Sequence, residues 1–188
     1  AVRRRPGLRV PGGWDGFEVA LRAVLGQQVS VAGATTLARR LVGQYGEQKK
    51  SAREGLDRSF PSPASLVDAP LEKLGLPKAR ANTLRAVAAA VLDGRIDFRV
   101  DQRLDEFVER FVAIPGIGPW TAHYVAMRAL SHPDAFPAGD LVVRRVLGGG
   151  EPISEREAEA RSEAWRPWRA YAVLHLWHLA DELSKELR

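Results

Sequence analysis

The sequence predicts an all-α protein, and three observations carry that prediction. Apolar residues recur at helical spacing nearly throughout, in about nine segments, and no alternating run reads as a strand. Helix-start patterns stand ahead of those segments: Asp15 with Glu18, Ser30, Ser62-Pro63, and Ser154 with Glu157. Hydrophobic residues make up 45% and charged residues 27% of the 188, a balance that supplies a core and argues against disorder. No period of repeat proteins and no low-complexity stretch is present.

Element by element, Asp15 and Glu18 form a capping-box pattern, in which each side chain satisfies a free amide of the first turn. Phe17, Ala20, Leu21, Val24 and Leu25 then make one apolar face, and that helix should end between Gly26 and Val29. Ser30 caps the next, whose stripe is Val31, Ala34, Leu37, Ala38, Leu41 and Tyr45, with Gly46 as its stop. Residues 47–60 are polar and read as a loop. Ser62-Pro63 starts a short helix, Asp68-Ala69-Pro70 another, and residues 77–92 form a longer alanine-rich one closed by Gly94. A helix over about 102–112 presents Leu104, Phe107, Val108 and Phe111. After Gly148-Gly149-Gly150, a second capping box at Ser154 and Glu157 precedes a last helix, opened by Pro167 and carrying Tyr171, Leu174, Leu176 and Trp177.

Composition narrows the chemistry. Without cysteine there is no disulfide framework, thiolate zinc site, cysteine nucleophile or cysteine-ligated iron–sulfur cluster. No apolar stretch reaches the roughly 18 residues that cross a bilayer. Arg3, Arg4 and Arg5 precede no signal-peptide run, so a cytoplasmic location is expected. The net charge of +5 is concentrated in residues 1–60, with eleven Lys/Arg against five Asp/Glu, which admits nucleic acid as a partner without selecting it. Arginine outnumbers lysine twenty-three to five; guanidinium suits phosphate, but a composition bias would give the same count.

The most informative segment is Ile114-Pro115-Gly116-Ile117-Gly118-Pro119-Trp120-Thr121-Ala122, a glycine turn between two helical patterns. Glycines let the chain turn sharply and leave no Cβ in the way of an approaching group. Amides near Gly116 and Gly118, with the free N–H groups that open the next helix, form a cradle suited to phosphate. Carbonyls on the other side of the turn, near Ile114, are candidate ligands of a monovalent cation. The same string also suits a plain helix–helix connection. It resembles the helix-hairpin-helix motif, LxxhPGhGxxTA with h apolar, which binds DNA backbone without reading sequence. Phe111, Ile114 to Gly118, Thr121 and Ala122 fill that pattern.

The resemblance continues into Phe136-Pro137-Ala138-Gly139-Asp140-Leu141-Val142-Val143-Arg144-Arg145, where Asp140 stands at the place of the catalytic aspartate of helix-hairpin-helix DNA glycosylases. Two further blocks, residues 21–30 (LRAVLGQQVS) and 165–177 (WRPWRAYAVLHLW), resemble the 3-methyladenine DNA glycosylase II branch. Together the blocks span nearly the whole chain in family order. The family's N-terminal β-rich subdomain has no counterpart and the chain starts at Ala1, so a fragment, a short form or a piece of a fusion is expected. The resemblance implies two helical subdomains with the active-site cleft between them and the hairpin motif at 104–130. The central lobe would be roughly 30–130 and the other lobe 1–29 plus 131–188. It further implies a monomer acting on duplex DNA that contains alkylated bases, in the bacterial cytoplasm at the nucleoid. No cofactor is implied beyond a sodium or potassium ion at the hairpin.

Cleavage of an N-glycosidic bond builds positive charge on the sugar, so a carboxylate beside C1′ and a means of unstacking the nucleotide are required. From its motif position Asp140 is the candidate carboxylate, stabilising the sugar cation and orienting water; local sequence alone favours a helix cap, and both roles are compatible. An alkylated purine is already a cationic leaving group, so a general acid is less needed. Relatives that cut the strand use a lysine where this chain has Trp120, which implies a hydrolase without lyase activity. Trp120, Tyr124 and Trp177 are the aromatic candidates for a base pocket, each with the alternative of a core position; Trp14, Trp165 and Trp168 read as structural. The hairpin residues Gly116, Ile117, Gly118 and Thr121 would face the DNA backbone. Gln28 stands at the position of the wedge that fills the vacated base site, or is a surface glutamine at a helix end. His175 and His178 are three apart but complete no metal set, and with His123 and His132 read as structural. The leading expectation is release of alkylated purines such as 3-methyladenine and 7-methylguanine by base flipping. The alternatives are a mismatch or oxidised-base glycosylase and a non-catalytic DNA-binding or damage-sensing module.

Overall fold

The computed structural model describes residues 3, 5–50 and 57–186. Among them lie nine α-helices and no strand, in the order α1 (Gly16–Leu25), α2 (Val31–Tyr45), α3 (Pro63–Leu66), α4 (Lys78–Leu92), α5 (Leu104–Val112), α6 (Pro119–Ala129), α7 (Leu141–Leu147), α8 (Glu155–Ser162) and α9 (Arg169–Glu186). The expected helix after Pro70 is a 3-10 turn, Leu71–Leu74, and a second such turn spans Glu163–Trp165. The last helix begins at Arg169 rather than Pro167. In the expected loop at 47–60, Gln48 and Arg58 form an isolated antiparallel bridge; its 51–56 portion lies outside the described residues.

Two compact units account for the chain: unit 1 comprises 1–14, 100–108 and 118–188, and unit 2 comprises 15–99 and 109–117. These boundaries differ from the expected lobes of 30–130 and 1–29 plus 131–188. The reason is where α1 is buried: Phe17, Ala20, Leu21, Val24 and Leu25 are core residues, and the helix packs against α2 and α4 of unit 2. Removing such side chains from water stabilises by about 1.5–3 kcal/mol each, which commits α1 to that unit. α6 in turn belongs to unit 1.

Unit 2 is closed by α4, which packs on α1 and α3 through Leu84, Val87 and Ala88. The stripe expected on α2 is only partly covered: Ala38 and Leu41 are buried, while Val31 is exposed. In unit 1, α7 packs on α9 and on α8, with Val143, Ala158, Ala170 and Val173 buried. Both capping boxes form by half. Asp15 accepts from the Glu18 N–H (2.8 Å) and Ser154 from the Glu157 N–H (3.1 Å), but Glu18 and Glu157 pair with Arg22 and Arg161 one turn on. The ion pair with an arginine one turn on displaces the carboxylate's bond back to the cap N–H. No described helix is long and apolar enough to cross a membrane.

Candidate active site

In unit 1 the chain makes two tight turns before α7. Ala138 N–H donates to the Phe136 carbonyl (3.0 Å) and Asp140 N–H to that of Pro137 (2.9 Å). Asp140 is the N-cap of α7, its Oδ1 accepting from the Val143 N–H at 3.0 Å, so the cap reading holds. The carboxylate has two further donors. Trp120 Nε1 donates to Oδ2 at 3.1 Å and Trp177 Nε1 to Oδ1 at 3.2 Å. Both oxygens are thus fixed by indoles from α6 and α9, and the helix amide adds favourable positive potential at the same end.

The three aromatic candidates form one wall. Trp120 and Tyr124, one turn apart on α6, stack with ring centroids 5.2 Å apart and planes 15° apart; Tyr124 meets Trp177 at 6.5 Å and 44°. All three are half-buried, neither sealed in the core nor free at the surface. Arg128, one turn beyond Tyr124, holds its guanidinium 5.6 Å from the Tyr124 ring and 5.7 Å from the Trp177 ring. No local pattern singles it out, because its partner rings lie on two helices. A cavity of about 260 Å³ is lined by Trp120, His123, Phe136, Gly139 and Glu155 among others.

The loop that carries Asp140 is anchored by groups that sequence reasoning left without a role. Asp134 is buried and receives both Nε (2.9 Å) and Nη2 (3.0 Å) of the buried Arg169, and Arg166 pairs with it as well. Arg169 reaches Glu159 at 2.8 Å with its remaining nitrogen. Such a bidentate pair is strong only because each buried charge meets its partner. His123 Nδ1 accepts from the Phe136 N–H at 3.3 Å, and burial, followed by the Arg169 charge, pushes its imidazole down to about 4. His132 is likewise lowered by burial, and its Nδ1 accepts from the Asp134 N–H. These two histidines are structural, as expected. Among the described residues no three His, Asp or Glu side chains are placed to hold a metal.

Trp165 packs edge-on against Phe136 at 6.3 Å and fits a structural role. Trp14 and Trp168, also read as structural, are exposed and lie outside the core, although Trp168 keeps an edge contact with Tyr171.

In unit 2, Gly116 turns the hairpin at φ 88°, and a Cβ there would collide with Thr83 Oγ1 of α4. Glycine is required on both counts. Ile117 is buried and its N–H closes the turn onto the Ile114 carbonyl (3.0 Å), while Gly116 stays exposed. Following in the chain, Gly118 is the N-cap of α6 with open space where a Cβ would project, and Thr121 is buried. Gln28, just past α1, is exposed and held at φ 56°, a left-handed conformation costly for a residue with a Cβ. Its neighbour Gln27 is tied down on both sides: the side chain donates to the Gly116 carbonyl (3.2 Å) and its carbonyl accepts from Arg80 (2.6 Å).

Residues 21–170 match the HhH-GPD superfamily base excision DNA repair protein family. The chain is 41% identical over 177 residues to the probable bifunctional transcriptional activator/DNA repair enzyme AlkA of Mycobacterium tuberculosis, covering 94% of this chain and 36% of that protein. It is 38% identical to DNA-3-methyladenine glycosylase 2 of Escherichia coli, covering 93% of this chain and 61% of the relative. The chain thus spans about a third of the first relative and under two thirds of the second. Among solved structures, the 3-methyladenine DNA glycosylase of Schizosaccharomyces pombe in complex with abasic DNA superposes with a TM-score of 0.73 at 26% identity, over 92% of this chain and 84% of that one. With the match running from α1 through the hairpin and Asp140 to the start of α9, this chain belongs to the HhH-GPD superfamily of base excision DNA repair proteins.

Proposed function

We propose that the chain is a monofunctional DNA glycosylase that hydrolyses the N-glycosidic bond of alkylated purines, 3-methyladenine and 7-methylguanine among them, in duplex DNA. The observation that carries this reading is the Asp140 carboxylate fixed by the indoles of Trp120 and Trp177 beside a stacked Trp120–Tyr124 pair. Such a wall attracts a flat cationic base through dispersion and cation–π terms of about 0.5–2 kcal/mol per ring. As the bond to C1′ breaks, its electron pair leaves with the base, which departs neutral. Asp140 faces the cation left on the sugar and holds the water whose oxygen bonds to C1′, and the water proton passes to the carboxylate or to solvent. The hydrogen bonds to both oxygens keep Asp140 in place without reorganisation as charge develops. Trp120 offers no amine for a Schiff base, so the strand is left intact.

On the DNA side, the exposed Gly116, the open face of Gly118 and the first amides of α6 are the backbone contacts, with Ile117 and Thr121 shaping the turn from within. Gln28, held in a strained conformation at the surface, is the wedge that occupies the site of the flipped nucleotide. Carbonyls near Ile114 fit a singly charged cation, sodium or potassium, because they are neutral oxygens; the ion would add positive potential at the phosphate contact. The protein acts as a monomer on DNA in the bacterial cytoplasm.

The test is base release from methylated duplex DNA by the wild type and by Asp140→Asn. The asparagine keeps a cap acceptor and loses the charge, so release should fall by about a hundredfold or more with the fold retained. Unchanged release would refute the mechanism, and strand cleavage by the wild type would refute the monofunctional assignment.

A further inference from the structure

The aromatic wall carries a fixed cation for which the proposed reaction has no use. Trp120, Tyr124 and Arg128 follow one another at four-residue spacing along one face of α6. The guanidinium lies within cation–π range of Tyr124 and of Trp177 together. It is held there by the segment before α1: Arg128 Nη1 donates to the Pro11 carbonyl at 2.8 Å, and the Gly13 N–H donates to the Arg128 carbonyl at 2.8 Å. Arg128 Nε is buried with no hydrogen-bond partner, so the guanidinium is held by the Pro11 carbonyl and by the two rings rather than by an oxygen at that nitrogen. Trp177 is therefore flanked by two opposite charges, the Asp140 carboxylate at its N–H edge and a guanidinium at its ring. A ring that already holds one cation has less attraction left for a second, and two positive charges on one wall repel.

We propose that Arg128 is a specificity-determining residue: its guanidinium, clipped onto Tyr124 and Trp177, discounts the pull of the wall on cationic bases and so opens the substrate class to neutral damaged purines. The inference deepens the glycosylase reading above and rests on it. A cationic base departs neutral, whereas a neutral purine departs as an anion that takes a proton from solvent water; Asp140 faces the sugar cation in either case, because charge develops there on both paths.

The experiment measures kcat/KM on two duplexes that differ only in the lesion, one with cationic 7-methylguanine and one with neutral hypoxanthine, for the wild type, R128M and R128K. Taking each variant's ratio relative to the wild type cancels the intrinsic lability of the two bonds. R128M, which loses the charge, should raise the cationic-to-neutral ratio by about three- to tenfold, the size expected for a partly screened charge at this range. R128K, which keeps the charge but not the planar fork, should change the ratio clearly less than R128M does. If R128M does not fold by circular dichroism, R128Q carries the same expectation and retains a donor for the Pro11 carbonyl. A purely structural arginine would lower both rates together. An unchanged ratio in the uncharged variant, or an equal change in R128K, overturns the inference while release of either base by the wild type leaves the glycosylase reading standing. Release of neither base by the wild type overturns that reading itself.

Discussion

At the scale of single residues, Asp140 joins a helix cap to the proposed catalytic site: the oxygen that caps α7 also accepts from Trp177, and the other accepts from Trp120. His123 illustrates the support behind it. Its Nδ1 accepts the Phe136 N–H at the entrance to the Asp140 loop, which only the neutral ring can do. Burial is the main cause of its lowering to about 4, with Arg169, His132 and Arg166 adding to it and Asp134 opposing. The folded value lies below the unfolded one, so the unfolded chain binds the proton first as pH falls. The neutral-state contribution is therefore complete above about pH 6.5 and is lost progressively toward pH 4, amounting to about 3 kcal/mol. Urea unfolding at pH 7 and at pH 4.5 should show a loss in the wild type exceeding that in His123→Gln by about 2–3 kcal/mol. Equal losses in the two proteins would remove His123 from this role.

At the scale of elements, the hairpin between α5 and α6 separates two kinds of glycine. Gly116 needs both a left-handed φ and a bare Cα against Thr83, whereas Gly118 has an ordinary extended backbone and open space around it. Gly116→Ala should destabilise the protein by about 2–4 kcal/mol, from strain and overpacking together. Gly118→Ala should cost less than about 1 kcal/mol, the scale of an altered N-cap. Thermal or chemical unfolding of the two variants checks this, and similar losses would contradict the packing account. The helix ends follow the same local logic: Asp15, Ser30, Ser62, Asp140 and Ser154 all cap where their sequence says they should. The second half of each capping box could not be read locally, since an arginine one turn along competes for the same glutamate.

At the scale of the whole molecule, the basic excess is unevenly divided. Unit 2, with Gln28 and Gly116, has fourteen Lys/Arg against ten Asp/Glu, and unit 1 fourteen against thirteen. On the proposed function, long-range attraction to DNA therefore falls mainly on unit 2. Affinity for undamaged duplex should drop about ten- to fortyfold between about 50 and 200 mM salt, as expected for two or three neutralised phosphates. A salt-independent affinity, measured by fluorescence anisotropy, would contradict phosphate contacts at the hairpin. The sequence by itself determined the all-α class, the helix starts that carry a side-chain cap and the order of the motif blocks, because capping and apolar periodicity act within a few residues. Its spacing also brought Trp120 and Tyr124 to one face of α6. Only the tertiary structure decided that α1 belongs with α2 and α4, that Asp134 and Arg169 anchor the Asp140 loop, and that Arg128 rests on rings from two helices. Those outcomes depend on burial and on charges meeting across long stretches of chain, which no local pattern encodes.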